Sequence, residues 1–136
     1  MDKKFLILAG AFFLFSIFFS FALFFQDQLL SLTRAEKYYT PSAEKTIVTA
    51  YPVKIKIADN QKARIDVFVR NENDIPLKDK RVLIQTNLGT VSPSFIISDE
   101  NGRASFYITS NQPGVANITA VVDNIQIQKK ISVKFE

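Results

Sequence analysis

The stretch Ser98 to Ala120, "SDENGRASFYITSNQPGVANITA", holds the residues most open to a chemical reading. Asp99, Glu100 and Asn101 put oxygen donors in one turn, the kind of grouping from which a calcium loop is built. Calcium takes roughly six to eight oxygens, so three neighbours fall short, and no metal is assigned to them. Asn117-Ile118-Thr119 fits the N-glycosylation acceptor pattern, but so short a pattern in mid-strand is read as coincidence.

Reaction chemistry is limited further by absence. The chain has no histidine and no cysteine, which removes the commonest general base, the thiolate nucleophile and the commonest soft metal ligands. Its acids sit at turns or alternate with strand residues, so no carboxylate pair is set out for acid–base work. The sequence therefore argues against an enzyme, and no cofactor is expected. The net charge of +4 comes from scattered lysines and arginines mixed with acids. A nucleic-acid binder would gather that charge into a patch, so no nucleic-acid partner is expected.

The same stretch reads well as folding devices. Asn101-Gly102 offers the positive φ of a tight hairpin, Asp99 can bond backbone amides across its own turn, and Pro113-Gly114 sets the next reversal. Around these turns the apolar residues repeat with period two. Val53, Ile55 and Ile57 alternate with Lys54 and Lys56, and Ala63, Ile65, Val67 and Val69 alternate with Arg64, Asp66 and Arg70. The pattern continues in "RVLIQT", in Ala104, Phe106 and Ile108, in Ala116, Ile118, Ala120 and Val122, and in Ile125, Ile127, Ile131, Val133 and Phe135. About seven half-buried strands follow, with no helical segment between them, which predicts an all-β antiparallel sandwich over residues 47–136. Lys129 breaks the inward phase of the last strand and predicts a bulge or an edge. Phe68 points outward between Val67 and Val69, as a surface contact residue or under cover of the preceding connector.

The order "NDIPL", "VLIQTNLGTV" and then "SDENGRASFYITSNQPGVANITA" resembles the bacterial immunoglobulin-like (Big-1) repeat of the intimin and invasin group. The resemblance runs from about Thr46 to Glu136 and is most specific at Asp99–Gly102 and from Thr109 through Gly114. It implies an immunoglobulin-like sandwich and a non-catalytic module of surface proteins, used as spacer or adhesion surface. Without cysteine or tryptophan, the chain lacks the disulfide and buried indole of antibody domains, so its core must rest on aliphatic packing.

Ahead of this body lies an apolar segment. Nine of the 13 phenylalanines fall between Phe5 and Phe25, 21 residues without a charge. As a helix it would span about 31 Å, close to the hydrocarbon thickness of a bilayer. Its Phe, Leu and Ile side chains sum to about −6 kcal/mol of insertion free energy. Ser20-Phe21-Ala22 resembles a signal-peptidase site, which leaves a secreted module with a cleaved leader as an alternative. The apolar run exceeds the roughly 7 to 15 residues of a leader core, however, and apolar residues follow the cut. The expectation is an uncleaved single-pass anchor in the plasma (inner) membrane, in contact with lipid over residues 5–25. Lys3 and Lys4 in a tip of residues 1–4 place the N-terminus in the cytoplasm and the β body outside. Residues 26–46 form a connector, with Leu29, Leu30 and Leu32 near the interface and Thr40-Pro41-Ser42 ending any helix.

A lone module on such a connector, which reaches at most about 70 Å when fully extended, is expected to work near the membrane. The sequence is then that of a membrane-anchored, non-enzymatic envelope protein with a binding, adhesion or structural module. The alternative is a small subunit of a larger membrane or surface-appendage complex. Its partner, protein or glycan, and its oligomeric state are left open by the residues.

Overall fold

The computed structural model describes residues 2–59 and 61–136, with side chains for all of these except Phe24 and residues 26–37. It divides into two compact units, Met1–Lys37 and Tyr38–Glu136. The first is formed by helix α1, which runs Lys3–Tyr39. Its segment Lys3–Leu23 is long and apolar enough to cross a membrane by length and composition, and Phe5, Phe12 and Phe18 stand exposed along it. The helix stops at Tyr39, just before Thr40-Pro41, because the residue preceding a proline is driven out of the helical region. The side chains of Asp27, Leu29, Leu30 and Leu32 lie outside those described.

The second unit is a two-sheet sandwich. Strands β1 (Ile47–Tyr51), β3 (Ala63–Phe68), β5 (Thr90–Ser92) and β7 (Arg103–Thr109) make one sheet in the order β1-β3-β7-β5. Strands β2 (Lys54–Ile55), β4 (Arg81–Thr86), β6 (Phe95–Ile97), β8 (Gly114–Val122) and β10 (Ile131–Phe135) make the other, ordered β2-β10-β8-β4-β6, with β9 (Ile125–Gln126) also on β8. Pairing is antiparallel except between β2 and β10. This is an immunoglobulin-like sandwich, in which the opening strand leaves the first sheet at Pro52 and joins the second as β2.

The alternation of side chains explains the core. Ala63, Ile65 and Val67 of β3 face Ala104, Phe106 and Ile108 of β7, and across the sandwich Ala116, Ile118, Ala120 and Val122 of β8 meet Val82, Val133 and Phe135. The four alanines make room for the two fully buried rings, Phe106 and Phe135. Truncating Phe106 to alanine would cost about 3–5 kcal/mol, since no disulfide offsets the cavity.

The structure departs from the sequence reading at several places. Ten strands are present among the described residues. The edge strand β1 and the three-residue β5 and β6 have too few buried positions to show a period. The "VKIKI" alternation yields only the two-residue β2: Ile55 is buried, but Val53 is exposed and Ile57 begins a 3-10 turn. The final alternation is cut in two. Ile125 pairs with Val122 and Ile131 with Ile118, so six steps along one strand answer four along the other. The two surplus residues loop out around Lys129, and Gln128 N–H donates to Ala43 C=O at 3.0 Å. Residues 38–46, read from the sequence as connector, are folded into the sandwich unit. Ser42 and Thr46 are buried there, and Ser42 N–H donates to Arg70 C=O at 2.7 Å.

The chain enters and leaves this unit at opposite poles. Ile47 lies beside Phe68, which in turn pairs with Arg103, whereas Phe135 ends beside Gly114, past the Thr109 end of β7.

Candidate functional site

Residues singled out in the sequence fall on three separate places. Asp99, Asn101 and Gly102 lie at the entry pole, Pro113 and Gly114 at the exit pole, and Phe68 on the outer face of the first sheet. The Asp99 carboxylate is spent on backbone amides, accepting from Asn101 N–H and Arg103 N–H at 2.9 Å each. Gly102 alone of the Asn-Gly pair has positive φ, at 72°. The turn it belongs to joins β6 to β7, strands of opposite sheets, and the Pro113-Gly114 turn likewise joins β7 to β8. Neither closes a hairpin, which corrects the local reading: a tight turn fixes where the chain reverses, while pairing is decided by which sheet buries the next apolar face. At Gly102 the requirement is also steric, because a Cβ there would sit 2.5 Å from the Val69 carbonyl oxygen. Gly114 has φ 151° and a Cβ there would meet Leu88 Cδ2 at 2.9 Å.

The more informative surface is the outer face of the β1-β3-β7-β5 sheet. The register lays its side chains in rows across the strands. Tyr51, Arg64, Tyr107 and Ser92 form one row, Thr49, Asp66 and Ser105 the next, and Ile47, Phe68 and Arg103 the third. Strands lie about 4.8 Å apart, which puts the backbones of Tyr51 and Tyr107 about 10 Å from each other with Arg64 between. Tyr51 is 81% exposed and Tyr107 46%.

The middle row holds the arginines in place. Asp66 Oδ1 accepts from Arg64 Nε at 3.1 Å and from Ser105 Oγ at 2.6 Å. Arg103 Nη2 reaches both Asp66 oxygens at 3.2 Å. Partial burial by itself would raise the Asp66 pKa, but the Ser105 hydroxyl and the two guanidinium groups together hold it below the ordinary carboxylate range. Phe68 is half-buried, with the Arg103 guanidinium 5.8 Å from its ring centre. That cover comes from β7, so Phe68 contributes an edge of hydrocarbon and not a free aromatic ring.

The composition of this face sets it apart. The chain has 12 lysines and five glutamates, and none lies on these rows. Tyrosine, arginine and phenylalanine stand there beside Asp66, and depletion of lysine and glutamate with enrichment of Tyr, Phe and Arg marks interface cores. Arg64 and Asp66 were visible in sequence as the outward phase of β3. Their partners Arg103 and Ser105, and the flanking Tyr51 and Tyr107, needed the register. Among the described residues no group of three His, Cys, Asp or Glu gathers as metal ligands.

Comparison with known proteins adds the lineage. A family model described as bacterial Ig-like domain (group 1) matches residues 46–136, most of the chain. This protein belongs to that family. Among solved structures, its group 1 Ig-like domain is similar to the 282-residue C-terminal fragment of intimin in complex with the intimin-binding domain of the translocated intimin receptor. That match has 25% identity and a TM-score of 0.60, over 71% of this chain and 33% of that one. It is similar also to invasin, described as a bacterial integrin-binding protein, at 28% identity and a TM-score of 0.62 over 71% of this chain and 20% of that one. The adhesin InvE of Yersinia pseudotuberculosis shares the fold, with a TM-score of 0.63 and 17% identity, over 71% of this chain and 28% of that one. The chain thus spans one third or less of each of these solved chains. No curated protein sequence matches it.

Proposed function

We propose that this protein is a single-pass, membrane-anchored and non-enzymatic binding module of the cell envelope. Its Ig-like domain stands outside the membrane and engages a partner protein through the outer face of the β1-β3-β7-β5 sheet. The observation that carries this reading is the Tyr51–Arg64–Tyr107 row: exposed rings flank an arginine held by Asp66 and Ser105, among rows that hold no lysine or glutamate. Tyr and Trp lose little conformational freedom on docking, and Arg offers a planar fork of donors, so such residues supply most of the energy of protein interfaces.

Three further observations support the reading. Among the similar solved structures InvE is an adhesin, the intimin fragment is in complex with the translocated intimin receptor, and invasin is an integrin-binding protein. The segment Lys3–Leu23 has the length and apolar composition that an anchor needs, and Lys3 and Lys4 favour a cytoplasmic N-terminus. Within the sandwich, the Tyr51 row lies toward the pole opposite the one at which the chain enters.

The test is site-specific photocrosslinking in native membranes. A benzoylphenylalanine at position 51 or 107 is expected to give a discrete adduct, whereas the same group at the exposed Val115, on the outer face of the other sheet, gives none. Adducts from 115 and none from 51 or 107 would move the binding surface to the second sheet.

A further inference from the structure

We infer that the Tyr51–Arg64–Tyr107 row takes an acidic segment of a partner protein, with a carboxylate seated on Arg64 between the two tyrosine rings. The inference rests on the reading of this face as the binding surface, and it adds the chemistry of what binds there.

The argument begins with charge. Asp66 is the one acid on the face, set against Arg64 and Arg103, and its two oxygens are already engaged by both guanidinium groups and by Ser105. Each arginine uses its Nε and Nη2, and among the described residues neither Nη1 has a hydrogen-bond partner. The arginine side chains are 44% and 37% exposed. The face therefore carries a positive surplus with donors still to place. A neutral partner covering Arg64 would strip water from those donors and leave them unpaired, which is unfavourable. A carboxylate restores the bonds in charge-assisted form and matches the planar fork.

Geometry narrows the partner further. The fork of Arg64 cannot swing freely, because Nε is bonded to Asp66 and Nη2 reaches Ser105 at 3.5 Å. It is preorganised, so little side-chain entropy is lost on binding. Two rows along the same face, past Asp66, Ile47 and half-buried Phe68 offer hydrocarbon that an extended peptide seated on Arg64 can reach with an aliphatic side chain and that has no counterpart in a polysaccharide of acidic sugars.

A library of random dodecapeptides, selected against the full chain in detergent micelles, tests this. Winners are expected to be enriched in Asp and Glu, to lose affinity tenfold or more on Arg64→Gln, and to lose less on Arg64→Lys, which keeps the charge but not the fork. They should weaken steadily with ionic strength. Urea midpoints of each variant identify any loss that comes from unfolding, and Tyr107→Ala, which leaves the Asp66 network intact, gives a second route to the same answer. Winners without acidic bias that are nevertheless abolished by Tyr51→Ala or Tyr107→Ala would overturn the acidic partner while leaving the face in place. Winners indifferent to Tyr51, Arg64 and Tyr107 would overturn the face as well. Binding of polygalacturonate that depends on Arg64, with no peptide selected, would overturn the protein partner in favour of a carboxylated glycan.

Discussion

Arg103 Nη2 lies 3.2 Å from each carboxylate oxygen of Asp66, joining β3 to β7 between residues 37 apart in sequence. With Ser105 and Arg64 on the same carboxylate, this pair makes the outer face of the first sheet a fixed arrangement of donors. Because Asp66 is only partly buried, the network's contribution to stability is discounted for solvent screening, to about 1 kcal/mol.

The pH dependence follows from the direction of the Asp66 shift. Its folded pKa is held below the unfolded value of about 3.9, so the folded state favours the ionised form. The stabilisation is complete above that unfolded value and is lost as pH falls through the lower folded one. Urea unfolding followed between pH 6 and pH 2 should show this loss in the native chain. In Asp66→Asn stability should be lower by about 1 kcal/mol at pH 6 and nearly equal to the native value at the acid end. Parallel curves for the two proteins across the whole range would remove Asp66 as the source.

The two residues of the Asn-Gly turn should behave differently. Gly102 is buried with φ 72°, its carbonyl accepts from Val69 N–H at 2.7 Å, and an added Cβ would strike the Val69 carbonyl. Gly102→Ala is expected to cost about 2–4 kcal/mol, from left-handed strain and overpacking together. Asn101 is exposed and has negative φ, so Asn101→Ala should stay within about 0.5 kcal/mol. Chemical denaturation of both variants decides the matter, and equal losses would show that the turn sequence, and not the contact with Val69, matters.

The contrast shows what was legible in the chain. Long strands with one buried face, β3, β7 and β8, declare themselves through alternation, and with them the sandwich and its core. Strands β1, β5 and β6 are short and lie at sheet edges, where one buried residue such as Val48 gives no period. The Asp99–Gly102 turn was legible as a turn but not as a crossing between sheets, because the partner of β7 is set by packing of Phe106 and Ile108 across the sandwich. The candidate site was hidden for the same reason. Arg64 and Tyr107 are neighbours only through the pairing of β3 with β7, and nothing in either strand alone announces the other.

Asn71 gives a prediction about the entry pole. It is fully buried, and all of its polar atoms work: Oδ1 accepts from Asn73 N–H at 2.9 Å and from Ile75 N–H at 3.0 Å, and Nδ2 donates to Tyr38 C=O at 2.8 Å. It organises the loop from β3 to β4 and pins residue 38 to the sandwich. At about 1 kcal/mol for each bond, Asn71→Ala should lower stability by about 3 kcal/mol. Asn71→Asp keeps the acceptors but buries a charge beside the Tyr38 carbonyl, and should be no better. Thermal unfolding of the two variants in micelles provides the measurement, and a change below about 0.5 kcal/mol in Asn71→Ala would mean that these bonds are replaced by water at no cost.

Membrane orientation can be read with the chain's own chemistry, since it contains no cysteine. Asp2→Cys marks the tip, and Asn111→Cys marks the exposed loop between β7 and β8. The positive charges of Lys3 and Lys4 favour a cytoplasmic tip, and an insertion free energy of about −6 kcal/mol over Phe5–Phe25 favours an uncleaved anchor. In spheroplasts a membrane-impermeant maleimide should therefore label Cys introduced at 111 at once and at position 2 only after lysis. Replacing both Lys3 and Lys4 by Glu weakens the bias and should raise the fraction labelled at position 2 before lysis. Immediate labelling at position 2 with protection at 111 would reverse the topology, and recovery of the protein in the soluble fraction, truncated after Ala22, would replace the anchor with a cleaved leader.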